Sequence, residues 1–175
     1  GDKVSLRNLV KYVITVSDNT AHSILVDYIG FQTLKNYGKS LGATSTLVGG
    51  DNFGTMNVHD AIIYITKLDE LINKDVTLGS ELQSYFVNSD QNYLNFPEEN
   101  IQAAQKYGQY EIYYHENGIV YTPNKYYVSI LTSEGQNKYG FEKVIRNINT
   151  KVYELHQTFY QNRQDTCYNY VYNQE

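Results

Sequence analysis

The chain has a single cysteine, Cys167, two prolines, one methionine and no tryptophan among 175 residues. One cysteine excludes an internal disulfide and a cysteine-rich zinc site within the chain. Positive charge is in deficit: 14 Lys and Arg against 19 Asp and Glu give a formal charge of −5, which argues against a polyanion such as DNA as the main partner. No apolar run is long enough to span a bilayer, and no secretory leader pattern stands at the N-terminus. The four histidines, His22, His59, His115 and His156, fall on separate segments without ligand-like spacing, so neither a metal nor a cofactor is expected. Internal repeats and low-complexity linkers are also lacking.

What remains is a globular composition, 41% apolar and 19% charged, in a chain long enough for one domain with a real core. Ser5 is a suitable cap for a helix over about 6–16, with Leu6, Leu9, Val10, Val13 and Ile14 at helical spacing. A second helix fits 20–29, with Ala21, Ile24, Leu25 and Tyr28 on one face and Gly30 as its stop; a third fits 31–41. After a loop over 42–56, Asn57 caps another helix, Asp60 completing a capping-box-like pair, and a shorter helix fits 79–87. Beyond Pro97 the pattern changes to short β-branched and aromatic runs over about 101–133. Turn signals at Glu116-Asn117-Gly118 and Pro123-Asn124 divide them into an antiparallel meander. A closing helix over about 141–160 carries Val144, Ile148, Val152 and Leu155 as its apolar stripe, and the polar, tyrosine-rich tail 162–175 has no assignment. The order is an α+β arrangement, with residues 1–161 as the domain.

Within it, "ITVSDNTAHSILVDYIG" (14–30) sets Ser17-Asp18-Asn19 at a junction of two helices. Such a tripeptide can be helix punctuation alone, and Lys106 can be a solvated strand-edge lysine. In its context, however, the segment resembles the Ser-Asp-Asn motif of class A β-lactamases and related penicillin-recognising serine hydrolases. Lys106-Tyr107-Gly108 stands where that family carries Lys-Thr-Gly, and "HENGIVYTPNKYYVSILTS" (115–133) resembles its next two strands. The resemblance covers about residues 3–160 and implies a β-lactamase/transpeptidase-like fold, incomplete at its N-terminus.

The family's nucleophile motif, Ser-x-x-Lys, is not here: no serine has lysine three positions later. Thr122-Pro-Asn-Lys125 imitates it, but in a hairpin turn. The resemblance therefore implies the C-terminal part of a serine hydrolase for β-lactams or D-alanyl peptides. Its nucleophile would lie upstream, and this chain alone would be inactive. It casts Ser17 as a proton relay to the leaving nitrogen, Lys106 as positive charge near Ser17 and the substrate carboxylate, and Asn19 as an amide donor to substrate. Gly108 would keep a strand edge open, the Gln109 N–H would be half of an oxyanion hole, and Asp18 would be structural. Two departures stand out. Tyr107 replaces the Thr or Ser whose hydroxyl would hold a substrate carboxylate. The loop 41–60 has no glutamate to activate a deacylating water, and Asp51 is its only acid before the helix. The alternative is a non-catalytic binding or structural module of the bacterial cell envelope. The family also implies an extracellular or envelope-associated location. Other expected partners are the missing N-terminal part of the same domain, or a dimer or domain swap over the strand edge its absence leaves open.

Overall fold

The computed structural model describes residues 3–45, 53–94, 96, 100–136 and 140–172; Asp51 and the Cys167 side chain lie outside what is described. Three helices come first: α1 Leu6–Thr15, α2 Asn19–Ile29 and α3 Phe31–Ser40. Ser5 caps α1 by accepting the Asn8 N–H at 3.2 Å. Gly30, at φ 90°, makes the break between α2 and α3 that a residue with a Cβ resists. Two longer helices follow, α4 Val58–Lys74 and α5 Val76–Val87. The helix α5 begins earlier than residue 79 because Asp75 caps it, accepting from Thr77 N and Leu78 N. Gly79 is an interior residue of α5, not its start. A Cβ there would overlap the Ile72 carbonyl, so the glycine is what lets α4 and α5 approach so closely.

The meander is β1 Gln102–Tyr110, β2 Tyr113–Tyr121 and β3 Tyr126–Thr132, antiparallel in the order β1-β2-β3. Its first turn is not at Glu116-Asn117-Gly118. Those residues lie in mid-β2, paired with Tyr107, Lys106 and Gln105 of β1, and the chain reverses at Glu111-Ile112 instead. Glu111 adopts φ 51° there, a conformation the usual turn signals assign to Gly or Asn. Gly118 serves packing: a Cβ on it would sit 3.0 Å from Leu94 Cδ1 and 3.1 Å from the Ala104 carbonyl oxygen. The second turn falls at 122–125, as Pro123-Asn124 indicates.

Helices α4 and α5 cover one face of the sheet around Ile65, Ile72, Ala104 and Ile119. The last helix, α6 Gly140–Tyr172, covers the other and continues through most of the unassigned tail. Its buried face is Phe141, Ile145, Asn149 and Tyr153, whereas Ile148 and Leu155 are exposed, so the expected stripe is rotated. The cause is Asn149, a polar residue at the centre of the buried face, which an apolar periodicity passes over. In α2, likewise, Ala21 and Val26 are buried and Ile24 and Tyr28 are exposed.

Candidate active site

The junction between α1 and α2 is one tight turn. Val16 ends α1 and Asp18 starts α2, its Oδ1 accepting the Ala21 N–H at 2.7 Å, which leaves Ser17 alone between two helix caps. Ser17 meets that constraint with φ 54°, a left-handed conformation that costs a residue with a Cβ about 1–2 kcal/mol. Strain of this kind persists where surrounding contacts hold it. Asp18 N donates to the Tyr12 carbonyl at 3.3 Å, and Asp90 N donates to the Thr15 carbonyl at 2.8 Å, fixing both sides of the turn.

Facing it is Lys106 of β1, the strand at one end of the described sheet. Lys106 Nζ donates to Ser17 Oγ at 2.9 Å and to the Tyr107 carbonyl at 2.8 Å, and stands 3.8 Å from the centre of the Tyr107 ring. An ammonium donates only, so the Ser17 hydroxyl accepts from it and its own proton is free to point elsewhere. Burial pushes the Lys106 ammonium down to about 8, against the pull of Glu116, which raises it. The group is thus poised to hold or release a proton near neutral pH.

The other sequence-indicated residues are nearby in the fold without joining that pair. Asn19 is the exposed first residue of α2. Among the described residues, no hydrogen bond links it, Gly108 or Gln109 to Ser17 or Lys106. The Gln109 side chain donates to the Tyr114 hydroxyl at 2.7 Å. At Gly108 a Cβ would make only ordinary contact with His115, at 3.7 Å, so packing does not demand the glycine. Tyr107 packs edge-on to Tyr93, ring centres 6.3 Å apart, and is half-buried against the core that α6 closes.

Asp60 has a different task from the one its spacing suggested. Asn57 Oδ1 accepts the Asp60 N–H at 2.8 Å, but the Asp60 carboxylate turns to the preceding loop. It accepts from Ser45 Oγ and Ser45 N, each at 2.6 Å, and from Thr44 N at 2.9 Å. The Ser45 hydroxyl above all, with these N–H groups, outweighs burial and holds the carboxyl well below the usual range. The carboxylate thereby pins the start of the loop, at Thr44 and Ser45, against α4.

Behind the Ser17 and Lys106 pair, Glu116 is a mid-strand residue of β2 and not part of a turn. Glu116 is fully buried, and its Oε2 accepts the Tyr93 N–H at 3.0 Å. Burial pushes its carboxyl up to about 8, against the Tyr93 N–H, the Lys106 charge and the Asn117 N–H. The signal in the sequence was alternation: Tyr114, Glu116, Gly118 and Val120 occupy one face of a strand, and Glu116 is the charged member of the inward set. Among the described residues no cluster of three or more His, Cys, Asp or Glu side chains is arranged to hold a metal ion.

A family model described as "Beta-lactamase enzyme family" matches residues 1–156. The chain belongs to the β-lactamase enzyme family. The fold agrees: a β-lactamase from Sphaerobacter thermophilus DSM 20745 is similar with a TM-score of 0.70 at 21% identity, over 85% of this chain and 62% of that one. A mutant of PBP-A, solved as an acyl-enzyme complex with penicillin G, is similar with a TM-score of 0.74 at 20% identity, over 90% and 63% of the two chains. TLA-1 extended-spectrum β-lactamase gives 0.73 at 14% identity, over 86% and 64%. The chain thus spans under two thirds of the length of each of these structures. No curated protein matches it in sequence.

Proposed function

We propose that this chain supplies two walls of the acyl-transfer site of a β-lactamase-like serine hydrolase, with the nucleophilic serine in a segment outside these residues. The substrates would be β-lactams or D-alanyl peptides, and the setting extracellular or at the bacterial cell envelope. The observation that carries the reading is the 2.9 Å contact from Lys106 Nζ to Ser17 Oγ. It joins residues 89 positions apart in sequence, one of them held in a left-handed turn between two helices.

In the proposed reaction Ser17 takes no acyl group. As the bond from the acyl carbon to the leaving nitrogen breaks, the Ser17 hydroxyl gives its proton to that nitrogen and takes one in return from the Lys106 ammonium, which regains a proton from solvent. Until that transfer the ammonium supplies positive charge beside the substrate. Asn19 and the Gln109 N–H bind the substrate amide and carbonyl oxygens, Gly108 leaves the edge of β1 accessible, and Asp18 holds the turn through its cap on α2. A second reading rests on Tyr107. Its ring lies against the Lys106 ammonium, where a threonine would offer a hydroxyl, and this favours a non-catalytic binding or structural module.

The test is the intact mass of the whole protein, this chain with its preceding segment, after incubation with penicillin G. The enzyme reading expects a covalent adduct that forms at least tenfold more slowly in Lys106→Met and Ser17→Ala variants. A folded whole protein that gains no mass supports the non-catalytic module instead.

A further inference from the structure

We propose that the Gly108 end of β1 and the facing stretch of β2 form a carboxylate-binding patch, in which His115 and Asn117 donate hydrogen bonds to a ligand that also meets the Lys106 ammonium. This rests on reading Lys106 and Ser17 as the working pair of the site, and it adds two binding residues to them.

Strand register brings these residues together. Lys106 lies directly opposite Asn117, which lies opposite Ser129, and one step along Gly108 lies opposite His115. Residues directly opposite share a face of the sheet, as do residues two apart on one strand. Lys106, Gly108, His115, Asn117 and Ser129 therefore occupy a single face, beyond the apolar cover of Ala104 and Ile119. All five are half-buried. Tyr107 alternates to the other face and packs against the core that α6 closes, so the donors beside Lys106 on this face come from β2.

Each of the two β2 side chains is held through its acceptor atom, which leaves its donor for a ligand. Ser129 Oγ donates to Asn117 Oδ1 at 2.7 Å, and the Asn117 amide nitrogen donates to no group among the described residues. Thr132 N donates to His115 Nδ1 at 3.3 Å, so a neutral ring carries its proton on Nε2. Burial lowers the His115 pKa, against the Tyr114 backbone, which raises it, and the ring is neutral at neutral pH. Its Nε2–H likewise finds no acceptor among the described residues. Lys106 gives two of its three ammonium protons to Ser17 and the Tyr107 carbonyl, and the third remains.

Gly108 opens the approach. A Cβ there would stand 3.7 Å from His115 Cδ2, the ring carbon bonded to Nε2. Packing tolerates that methyl, so the use of glycine is the uncovered edge of the ring, which a larger side chain would cross. The groups around this opening are an ammonium, an amide nitrogen and an imidazole N–H, and all of them donate. Such a set selects a ligand group that only accepts and carries negative charge. Neighbouring strands run about 4.8 Å apart, so one planar carboxylate over Gly108 can take the Lys106 charge from the β1 side and both neutral donors from β2. The ligand class is a compact carboxylate, such as the terminal carboxylate of an acylated amino acid.

The experiment is nitrogen-15 NMR of the 175-residue chain, titrated with N-acetyl-D-alanine and, separately, with its C-terminal amide, which has the same shape without the charge. Backbone correlations assign the His115 and Asn117 side-chain signals. The ligand-free spectrum should place the His115 proton on Nε2. Both signals should then move with the carboxylate, saturate together, and stay in place with the amide at the same concentration. His115→Phe and Asn117→Leu should each weaken carboxylate binding by about tenfold, the loss of one hydrogen bond to a charged group. A proton on Nδ1, an equal response to carboxylate and amide, or a response missing from either side chain overturns the proposal. Undiminished affinity in the folded variants overturns it as well. Should the variants fail to fold, the native titration decides. Binding needs no nucleophile, so failure of the enzyme reading shows separately, as a missing penicillin adduct.

Discussion

The two sides of the site come from differently built regions. Lys106 belongs to a sheet packed on both faces, where Ile119, Val120 and Ile145 have no solvent exposure. Ser17 belongs to α1–α3, where α1 buries only Leu9 and Ile14, α2 only Ala21 and Val26, and α3 only Gly38. Apolar groups such as Ile24, Tyr28 and Ile29 stand exposed on α2, and a groove of about 500 Å³ opens between α1, α4 and α5, floored by Val10, Leu71, Leu78 and Leu82. The sheet is thus a rigid mount for the lysine. The serine depends on local capping, its strained turn and a few tethers to hold its place. That contrast fits the proposal that further chain packs against the helical half, and it locates the weak point of the site on the Ser17 side.

The largest expected effects test this contrast in the cores. Ile119→Ala removes a side chain packed on every side and should destabilise the protein by about 4 kcal/mol, whereas Leu9→Ala in α1 should cost about 2 kcal/mol. Urea unfolding of both variants checks it, and equal losses would erase the distinction. Gly79→Ala attacks the crossing that links α4 to α5; the added methyl overlaps the Ile72 carbonyl, and a loss of about 3 kcal/mol follows.

The next effect is a pH dependence carried by the two coupled groups. Glu116 is raised from 4.5 to about 8, so between those values the folded chain keeps a proton that the unfolded chain has lost, and stability falls as pH rises. Lys106 is lowered from 10.5 to about 8, so above 8 the unfolded chain keeps the extra proton, and this contribution rises again with pH. Melting temperature against pH should therefore show a minimum near 8 in the contribution of this pair. Glu116→Gln should flatten the limb below it, and an unchanged limb would detach that limb from Glu116.

The smallest effect isolates the strain at the turn. Ser17→Gly and Ser17→Ala both remove the hydroxyl, but only alanine keeps a Cβ at φ 54°. The glycine variant should be the more stable by about 1 kcal/mol in urea unfolding.

Much of the fold was legible because its signals are local. Ser5, Asn57 and Gly30 mark helix boundaries by capping chemistry, and Pro123-Asn124 marks a turn. The readings that failed depend on contacts distant in sequence. Glu116-Asn117-Gly118 has turn composition, yet Gly118 answers the close approach of Leu94 and Ala104, and the buried Glu116 carboxyl accepts the Tyr93 N–H from a segment 23 residues earlier. Asn149 concealed the buried face of α6 because a polar residue breaks an apolar pattern. Ser17 and Lys106 were legible as motif positions. Their hydrogen bond, the Tyr107 ring beneath the ammonium and the carboxyl across the strand were not, because no local pattern encodes which groups meet across a seam.

The most direct test of the central claim is peptide mapping of the 175-residue chain after incubation with penicillin G. Ser17 as a relay that accepts from Lys106, with the nucleophile elsewhere, predicts a folded chain that takes up no acyl group. A covalent adduct on Ser17 would contradict it and make that serine the nucleophile.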